Sequence, residues 1–89
     1  MVPVIITTQH RGVFFGYVEE NADLEARALS IRHAKMAIRW NTTKGIGELA
    51  LSGPNDGSII GAEADIAALH DVTCVWYVTQ EAAKKWDEA

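Results

Sequence analysis

The chain has 89 residues, a net charge of −4 at neutral pH and a single cysteine. This length allows one domain, residues 1–89, that is only marginally stable alone, and the single cysteine excludes an internal disulfide. A structural zinc needs about four closely spaced Cys or His ligands, which this sequence does not offer, so we expect no metal and no cofactor. We therefore expect self-association to supply additional stability.

The charge and the N-terminal segment restrict the partners and the compartment. Twelve acidic residues against eight basic ones make nucleic acid an unlikely partner, because its binding depends on neutralising phosphates. The segment MVPVIITTQH lacks the basic region of a signal peptide. No stretch reaches the roughly 18 apolar residues of a membrane span, and a lone cysteine fits a reducing compartment. We expect a cytoplasmic protein without membrane contact.

The first segments of the chain predict a β-hairpin. Residues 2–8 are rich in β-branched side chains, and residues 13–19 form a second apolar run. The segment Gln9-His10-Arg11-Gly12 between them is typical of a tight turn. Gly16, inside the second strand, indicates a bulge or the close approach of another backbone segment.

Residues 24–40 are ambiguous between helix and strand. They contain good helix formers, and Asp23 is suited to cap a helix. The alternation of apolar residues favours a strand instead. Leu29 and Ile31 occupy odd-numbered positions, and a second apolar set occupies even-numbered positions. A strand therefore requires a turn or bulge near residues 32–35. Propensity alone leaves both alternatives open; the second set comprises Ala34, Met36, Ile38 and Trp40.

The second half of the chain combines two helices with a strand. A short helix is predicted near 44–51, ended by Ser52-Gly53-Pro54, and a C-terminal helix near 80–88, capped by Thr79. Residues 63–69 are weakly patterned. Residues 72–78 predict a strand that buries Cys74. The expected fold class is α+β, mainly β: a small antiparallel sheet or barrel-like domain with these two helices.

With these segments identified, the chain resembles an uncharacterised family of small phage and prophage proteins. The matching stretches are VIITTQHRGVFFGYVEE, HAKMAIRW with GIGELALSGP, and IIG with HDVTCVWYVTQEAAKKW. This resemblance implies a β-rich fold, which favours a strand at residues 24–40, and expression inside an infected or lysogenic bacterium. A looser similarity, carried by GYVEE and ALSIRHA, is to Sm-like small barrels that assemble into rings.

Three groups of residues are candidates for ligand binding. The first is the loop after Trp40, where hydroxyls, a lysine and glycines precede a predicted helix, a setting that favours phosphate, and where Trp40 is suited to stack on a ring. The alternative is that its threonines only cap the helix and Trp40 lies in the core. The second is the basic run from Arg32 to Arg39, and the third is the hairpin tip; both are alternatively solvated surface. The candidate residues are Trp40, Thr42, Thr43, Lys44, Gly45, Arg39, His10 and Arg11.

No catalytic constellation emerges from the sequence. His70 and Asp71 are neighbours that point oppositely on a strand, and the serines lack a nucleophile motif. We expect a protein that is not an enzyme, with an active site shared between subunits left open. The leading hypothesis is a phage-encoded accessory protein, homo-oligomeric, that sequesters a small anionic, nucleotide-like ligand or a host protein in counter-defence. The alternatives are a structural or assembly protein of the phage particle and an Sm-like RNA-binding module.

Overall fold

Six strands and two short helices make up the fold. The computed structural model describes residues 1–9, 12–40, 42 and 44–89. This architecture confirms the expected mainly β fold, and the C-terminal helix lies where it was predicted. No helix within these described ranges is long and apolar enough to cross a membrane. The elements are β1 (Val2–Thr8), β2 (Val13–Val18), β3 (Ala28–Arg39), α1 (Ile46–Ser52), β4 (Ile59–Ile60), β5 (Ala64–His70), β6 (Val72–Tyr77) and α2 (Gln80–Glu88).

The strands form one antiparallel sheet in which the long strand β3 has two partners on its outer side. The order is β4-β3-β2-β1-β6, and β5 also pairs with β3. The first half of β3 pairs with β5, and its second half pairs with β4. Only Asp71, with a φ of 59°, separates β5 from β6. Consecutive strands therefore lie at opposite sides of the sheet, which curls toward a barrel.

Two hydrophobic clusters lie on opposite faces of the sheet. The inner cluster is enclosed by the curl, and the helix cluster lies between the sheet and both helices. β1 contributes to both, because its side chains alternate between the two faces. Val4 and Ile6 belong to the inner cluster with Val18, Leu29, Ile31 and Ala34. Ile5 belongs to the helix cluster with Val13, Phe15, Ala37, Leu49, Ala50, Val78, Ala82, Ala83 and Trp86.

Most of the ambiguous segment 24–40 is a strand, β3 (Ala28–Arg39), and this strand contains a bulge. The pairing of β3 shifts register at the same place against β2 and β5. His33, with a φ of 53°, lies at this shift, so the expected bulge is confirmed. Gly16 faces the bulge: a Cβ there would lie 2.2 Å from Ile31 Cγ2 and 3.3 Å from Ala34 Cα. The close backbone approach predicted from Gly16 is therefore present.

The two helices are joined to each other at their ends. The Thr79 hydroxyl accepts the Ala82 backbone N–H at 3.1 Å, which caps α2, and donates to the Leu51 carbonyl at 2.9 Å. The Trp86 indole N–H donates to the Leu49 carbonyl at 3.1 Å. The first bond satisfies the Leu51 carbonyl at the end of α1, and the second adds a donor to the Leu49 carbonyl, which also accepts the Gly53 backbone N–H at 3.1 Å. The helices consequently form one layer over the sheet.

The second half of the chain differs from the sequence-based predictions at β5 and β6. The weakly patterned segment 63–69 lies, except for residue 63, in strand β5 (Ala64–His70), whose alanine-rich sequence has low β propensity. Cys74 is exposed, not buried. The cause is a register shift between Thr7 and Thr8 where β6 pairs with β1. Because of this shift, the residues of β6 that pack on the inner cluster are Val72 and Val75. Cys74 therefore does not share a face with Val72, as a regular two-residue alternation would require.

Candidate functional site

A groove lies between the end of the first hairpin and the loop that enters α1. Its volume is about 450 Å³. Trp40 and Ile46 form one wall, and residues from the ends of β1 and β2 form the other. Trp40 from the first candidate region and Gly12, the residue that ends the predicted hairpin turn, therefore border one cavity. We call it the Trp40 groove; its lining residues are Thr7, Thr8, Gly12, Val13, Trp40 and Ile46.

Trp40 has both a structural and an accessible side. It is half-buried and packs against the helix cluster together with Ile46. No hydrogen bond described for the chain engages its indole N–H, and no side-chain nitrogen of the described residues is buried without a partner. The indole N–H therefore reaches solvent. Trp40 combines the two alternatives raised by the sequence, since it packs on the core and also lines a cavity.

The opposite wall contributes hydroxyl groups. Thr8 Oγ1 accepts the Gly12 backbone N–H at 3.1 Å, which fixes the end of the hairpin. Thr7 Oγ1 lies 2.9 Å from Thr73 Oγ1, and either atom can donate. The six lining residues that the structure describes carry no charge. Within these residues the groove has one aromatic wall and one hydroxyl-bearing wall.

The segment before α1 differs in detail from the predicted cap. The helix begins at Ile46, and its N-cap is Gly45, with a φ of 80° that suits glycine. The Thr42 hydroxyl donates to the Gly45 carbonyl at 2.8 Å, so it orders the loop rather than capping the helix. Lys44 is exposed and lies on the outer side of α1, where it borders a separate cavity with Leu51.

The basic run of β3 does not form one cationic face. Arg32 pairs with Asp65 at 3.1 Å, and His33 Nδ1 lies 2.9 Å from a Glu63 oxygen. Lys35 is only 5% exposed, and its ammonium donates to three backbone carbonyls at the end of α2. Lys35 is therefore not available to an anion at the surface, although Arg39, at the end of the basic run, is exposed. The three acceptors are Trp86 at 2.9 Å, Asp87 at 3.1 Å and Ala89 at 3.1 Å.

The remaining predicted positions lie outside the described residues. These are His10 and Arg11 at the hairpin tip and Thr43 in the loop before α1. Their neighbours in sequence, Gly12 and Thr42, are described above. Among the predicted site residues that the structure describes, Trp40 alone lines the groove, with Thr42, Lys44, Gly45 and Arg39 near it in the chain.

The structure reveals a second polar cluster that the sequence did not indicate. Tyr17 donates its hydroxyl to Asp87 Oδ2 at 2.7 Å, and its ring packs edge-on against His33 at 6.2 Å. Burial raises the pKa of Tyr17 to about 12, and the hydrogen bond to Asp87 acts in the same direction. With Met1 and Glu63 these residues line a cavity of about 310 Å³. The residues of this cluster come from distant parts of the chain, so their spacing in the sequence does not indicate that they lie together.

The bulge of β3 is held by an exposed carboxylate. Asp65 accepts the His33 backbone N–H at 2.9 Å and pairs with Arg32. The backbone hydrogen bond from His33, followed by the hydrogen bond from Arg32, lowers the pKa of Asp65. The acid–base groups near the bulge are therefore engaged in holding β3 and β5 together.

The fold and the groove define a small, mainly β domain with an uncharged cavity at one end of its sheet. The chain belongs to the family described as "Domain of unknown function (DUF6948)", whose model matches residues 1–86. This match supports the resemblance to an uncharacterised family. No curated protein and no solved structure matches the chain.

Proposed function

We propose that this domain is a binding protein that works as a homo-oligomer and takes a small anionic, ring-bearing ligand, such as a nucleotide, in the Trp40 groove. The observation that carries the proposal is the groove itself. A cavity of about 450 Å³ is of the size that small-molecule sites have. It pairs an aromatic wall with hydroxyl groups, the combination that holds a planar ring and fixes its orientation.

The proposal that the ligand carries a ring is supported by Trp40, which forms one wall of the groove. An accessible indole presents a stacking face and an N–H donor at the same place. Stacking of a base on an aromatic side chain contributes about 1–3 kcal/mol and tolerates different bases. The uncharged lining adds dispersion contact and no electrostatic penalty toward either sign of charge.

The proposal that the ligand is anionic is supported by basic residues that are adjacent in sequence to the lining positions. Arg11 precedes Gly12, Arg39 precedes Trp40, and Lys44 lies two residues before Ile46. No acidic side chain is among the lining residues within the described part of the chain. We infer that a phosphate extending from a ring in the groove reaches toward these basic residues, in a protein whose net charge is −4.

The oligomer is supported by the exposed apolar surface. Six large hydrophobic side chains beyond the terminal methionine remain at least one-third exposed, on β3, β4, β6 and α1. A domain of this length gains stability by covering such surface with another copy. Light scattering across a range of concentrations tests this part; the side chains are Met36, Ile38, Leu51, Ile59, Trp76 and Tyr77.

Titration calorimetry with purine and pyrimidine nucleotides tests the ligand. We expect binding by the native chain, a several-fold loss in Lys44→Ala, and a larger loss in Trp40→Leu with the fold intact by circular dichroism. Lys84→Ala, which removes an exposed lysine on α2, is the matched control and leaves binding unchanged. Equal nucleotide binding by all four proteins, or none by the native chain, would remove this ligand class.

The cellular setting is a second part of the proposal. We propose that the protein acts in the cytoplasm of a phage-carrying bacterium, where capturing a nucleotide signal or a host protein blunts a defence. Its support is the resemblance to small phage proteins together with the small size of the domain. Mass spectrometry of purified particles separates this role from a virion component, because an accessory factor is absent from the particle.

A second candidate, an Sm-like RNA-binding module, is favoured by the strand order. β6 pairs with β1, β5 pairs with β3, and one residue joins β5 to β6. This arrangement gives a curled five-strand core of the kind that small barrels use. A gel shift with single-stranded RNA at moderate salt tests it. Retardation at micromolar protein supports the module, and unshifted RNA ends it.

A further inference from the structure

The outer edge of β6 is an open strand edge. β6 pairs with β1 on one side, and no other described element pairs with it on the opposite side. A six-residue strand with one open side presents alternate backbone N–H and C=O groups to solvent, which form a template for another strand. The exposed side chains along it include Cys74, Trp76 and Tyr77, the last 77% exposed.

The edge of β6 carries none of the usual protection against pairing. Natural edges are blocked by lysine, proline, inward charges or a covering element. The sequence Val-Thr-Cys-Val-Trp-Tyr contains none of these residues, although the whole chain is 22% charged. β5, the other long edge strand, contains Asp65 and is otherwise mostly alanine on its exposed positions. The unprotected edge is therefore β6.

We propose that β6 of one copy pairs antiparallel with β6 of a second copy and joins two sheets into one. A two-fold axis makes such pairing antiparallel and self-complementary without further requirement. The uncharged strand places no like charges opposite each other, and Asp71 of each copy lies at the far end from its symmetry mate. This inference rests on the homo-oligomer part of the proposed function and names the surface that forms it.

The geometry fixes the position of the cysteine near the two-fold axis. Cys74 and Val75 are the two central residues of β6. Paired strands lie about 4.8 Å apart with about 3.4 Å between residues, so a strand centred on either residue places the two Cys74 Cα atoms within roughly 10 Å. The single cysteine of the chain is thus a built-in probe of this interface.

A charge-exchange experiment at Cys74 tests the pairing by sedimentation analysis. We expect a dimer for the native chain and for Cys74→Ser, and a dissociation constant raised by roughly tenfold or more in Cys74→Lys and in Cys74→Glu, because like charges meet at the axis. Mixing Cys74→Lys with Cys74→Glu restores the dimer. Ser52→Lys, which charges an exposed position at the end of α1 outside the exposed apolar set, is the control and leaves dimerisation unchanged.

A nitroxide label on Cys74 gives an independent readout. Dimerisation through β6 broadens the spectrum at high protein concentration, and dilution with unlabelled protein removes the broadening. An oligomer that ignores the Cys74 charges and shows no broadening overturns the β6 interface while leaving the homo-oligomer in place. A native chain that sediments as a monomer at every concentration overturns both. Nucleotide binding in calorimetry is scored separately and depends on neither result.

Discussion

The Trp86 indole lies flat on the Phe15 ring, with centroids 5.1 Å apart and an interplanar angle of 1°. Phe15 belongs to β2 near the beginning of the chain, and Trp86 to the last turn of α2. The same indole donates its N–H to Leu49 of α1. One fully buried side chain consequently ties the sheet to both helices, and the helix cluster forms around it.

Replacing Trp86 measures how much this contact stabilises the fold. We expect Trp86→Ala to lower the free energy of unfolding by about 3–5 kcal/mol. Trp86→Phe keeps an aromatic ring for Phe15 but loses the hydrogen bond to Leu49, and we expect a smaller loss of about 1–3 kcal/mol. Urea denaturation followed by circular dichroism measures both. Equal losses in the two variants would show that the ring stack contributes little.

A pair of glycines tests the packing against the bulge of β3. Gly16→Ala places a Cβ 2.2 Å from Ile31 Cγ2, and we expect a loss of about 1–3 kcal/mol from overpacking. Gly47→Ala is the matched control, because its Cβ meets only Trp76, at 3.8 Å. There we expect a gain of about 0.5–1 kcal/mol, since alanine favours a helix interior. A tolerated Gly16→Ala would show that the bulge moves freely.

Lys35 tests whether a buried ammonium holds the end of α2. Lys35→Met keeps the approximate volume and removes three donors to backbone carbonyls. We expect a loss of about 1–3 kcal/mol and faster hydrogen exchange in the last turn of α2. Lys84→Met, at an exposed position on the same helix, serves as control and changes neither quantity. Unchanged exchange in Lys35→Met would contradict an anchoring role.

Tyr17 gives a pH-dependent prediction. Its pKa of about 12 in the folded protein lies above the ordinary value of 10.0, so the folded state holds the phenol proton more tightly than the unfolded chain. Stability from this group is present below pH 10 and is lost as the pH rises from about 10 toward 12. Spectrophotometric titration of the phenol in Asp87→Asn should show a Tyr17 pKa closer to 10, because a carboxylate contribution is removed. A pKa unaltered in that variant would assign the whole shift to burial.

Much of the fold was accessible from local patterns. The first hairpin, the final helix and the bulge near residues 32–35 follow from β-branched runs, a threonine cap and a change of parity. β5 is not predicted by local patterns because it pairs with β3, thirty or more residues earlier, and such pairing overrides weak propensity. Cys74 was misplaced because a register shift, which depends on the partner strand, reverses the alternation in β6.

The candidate site was accessible only in part. An aromatic residue before a glycine-rich loop indicated Trp40, and the structure places it at a groove. The opposite wall of the groove could not be predicted, because the sequence does not show that the end of the first hairpin lies beside the start of α1. Lys35 is the opposite case. Its basic neighbours in the sequence indicate a solvated surface, whereas its ammonium is buried and donates hydrogen bonds to carbonyls of α2, which are distant in sequence.

β1 has apolar side chains on both of its faces, with Ile5 toward the helices and Val4 and Ile6 toward the interior. Sliding β1 by one residue along β2 would exchange these faces and still bury only aliphatic groups. The hydrophobic effect therefore does not distinguish the native register of β1 and β2 from the register shifted by one residue. Gly16, which lies opposite Val4 and against Ile31, acts on the other side of β2. The absence of a side chain at this one position thus lets the second strand lie close to the bulge of the third.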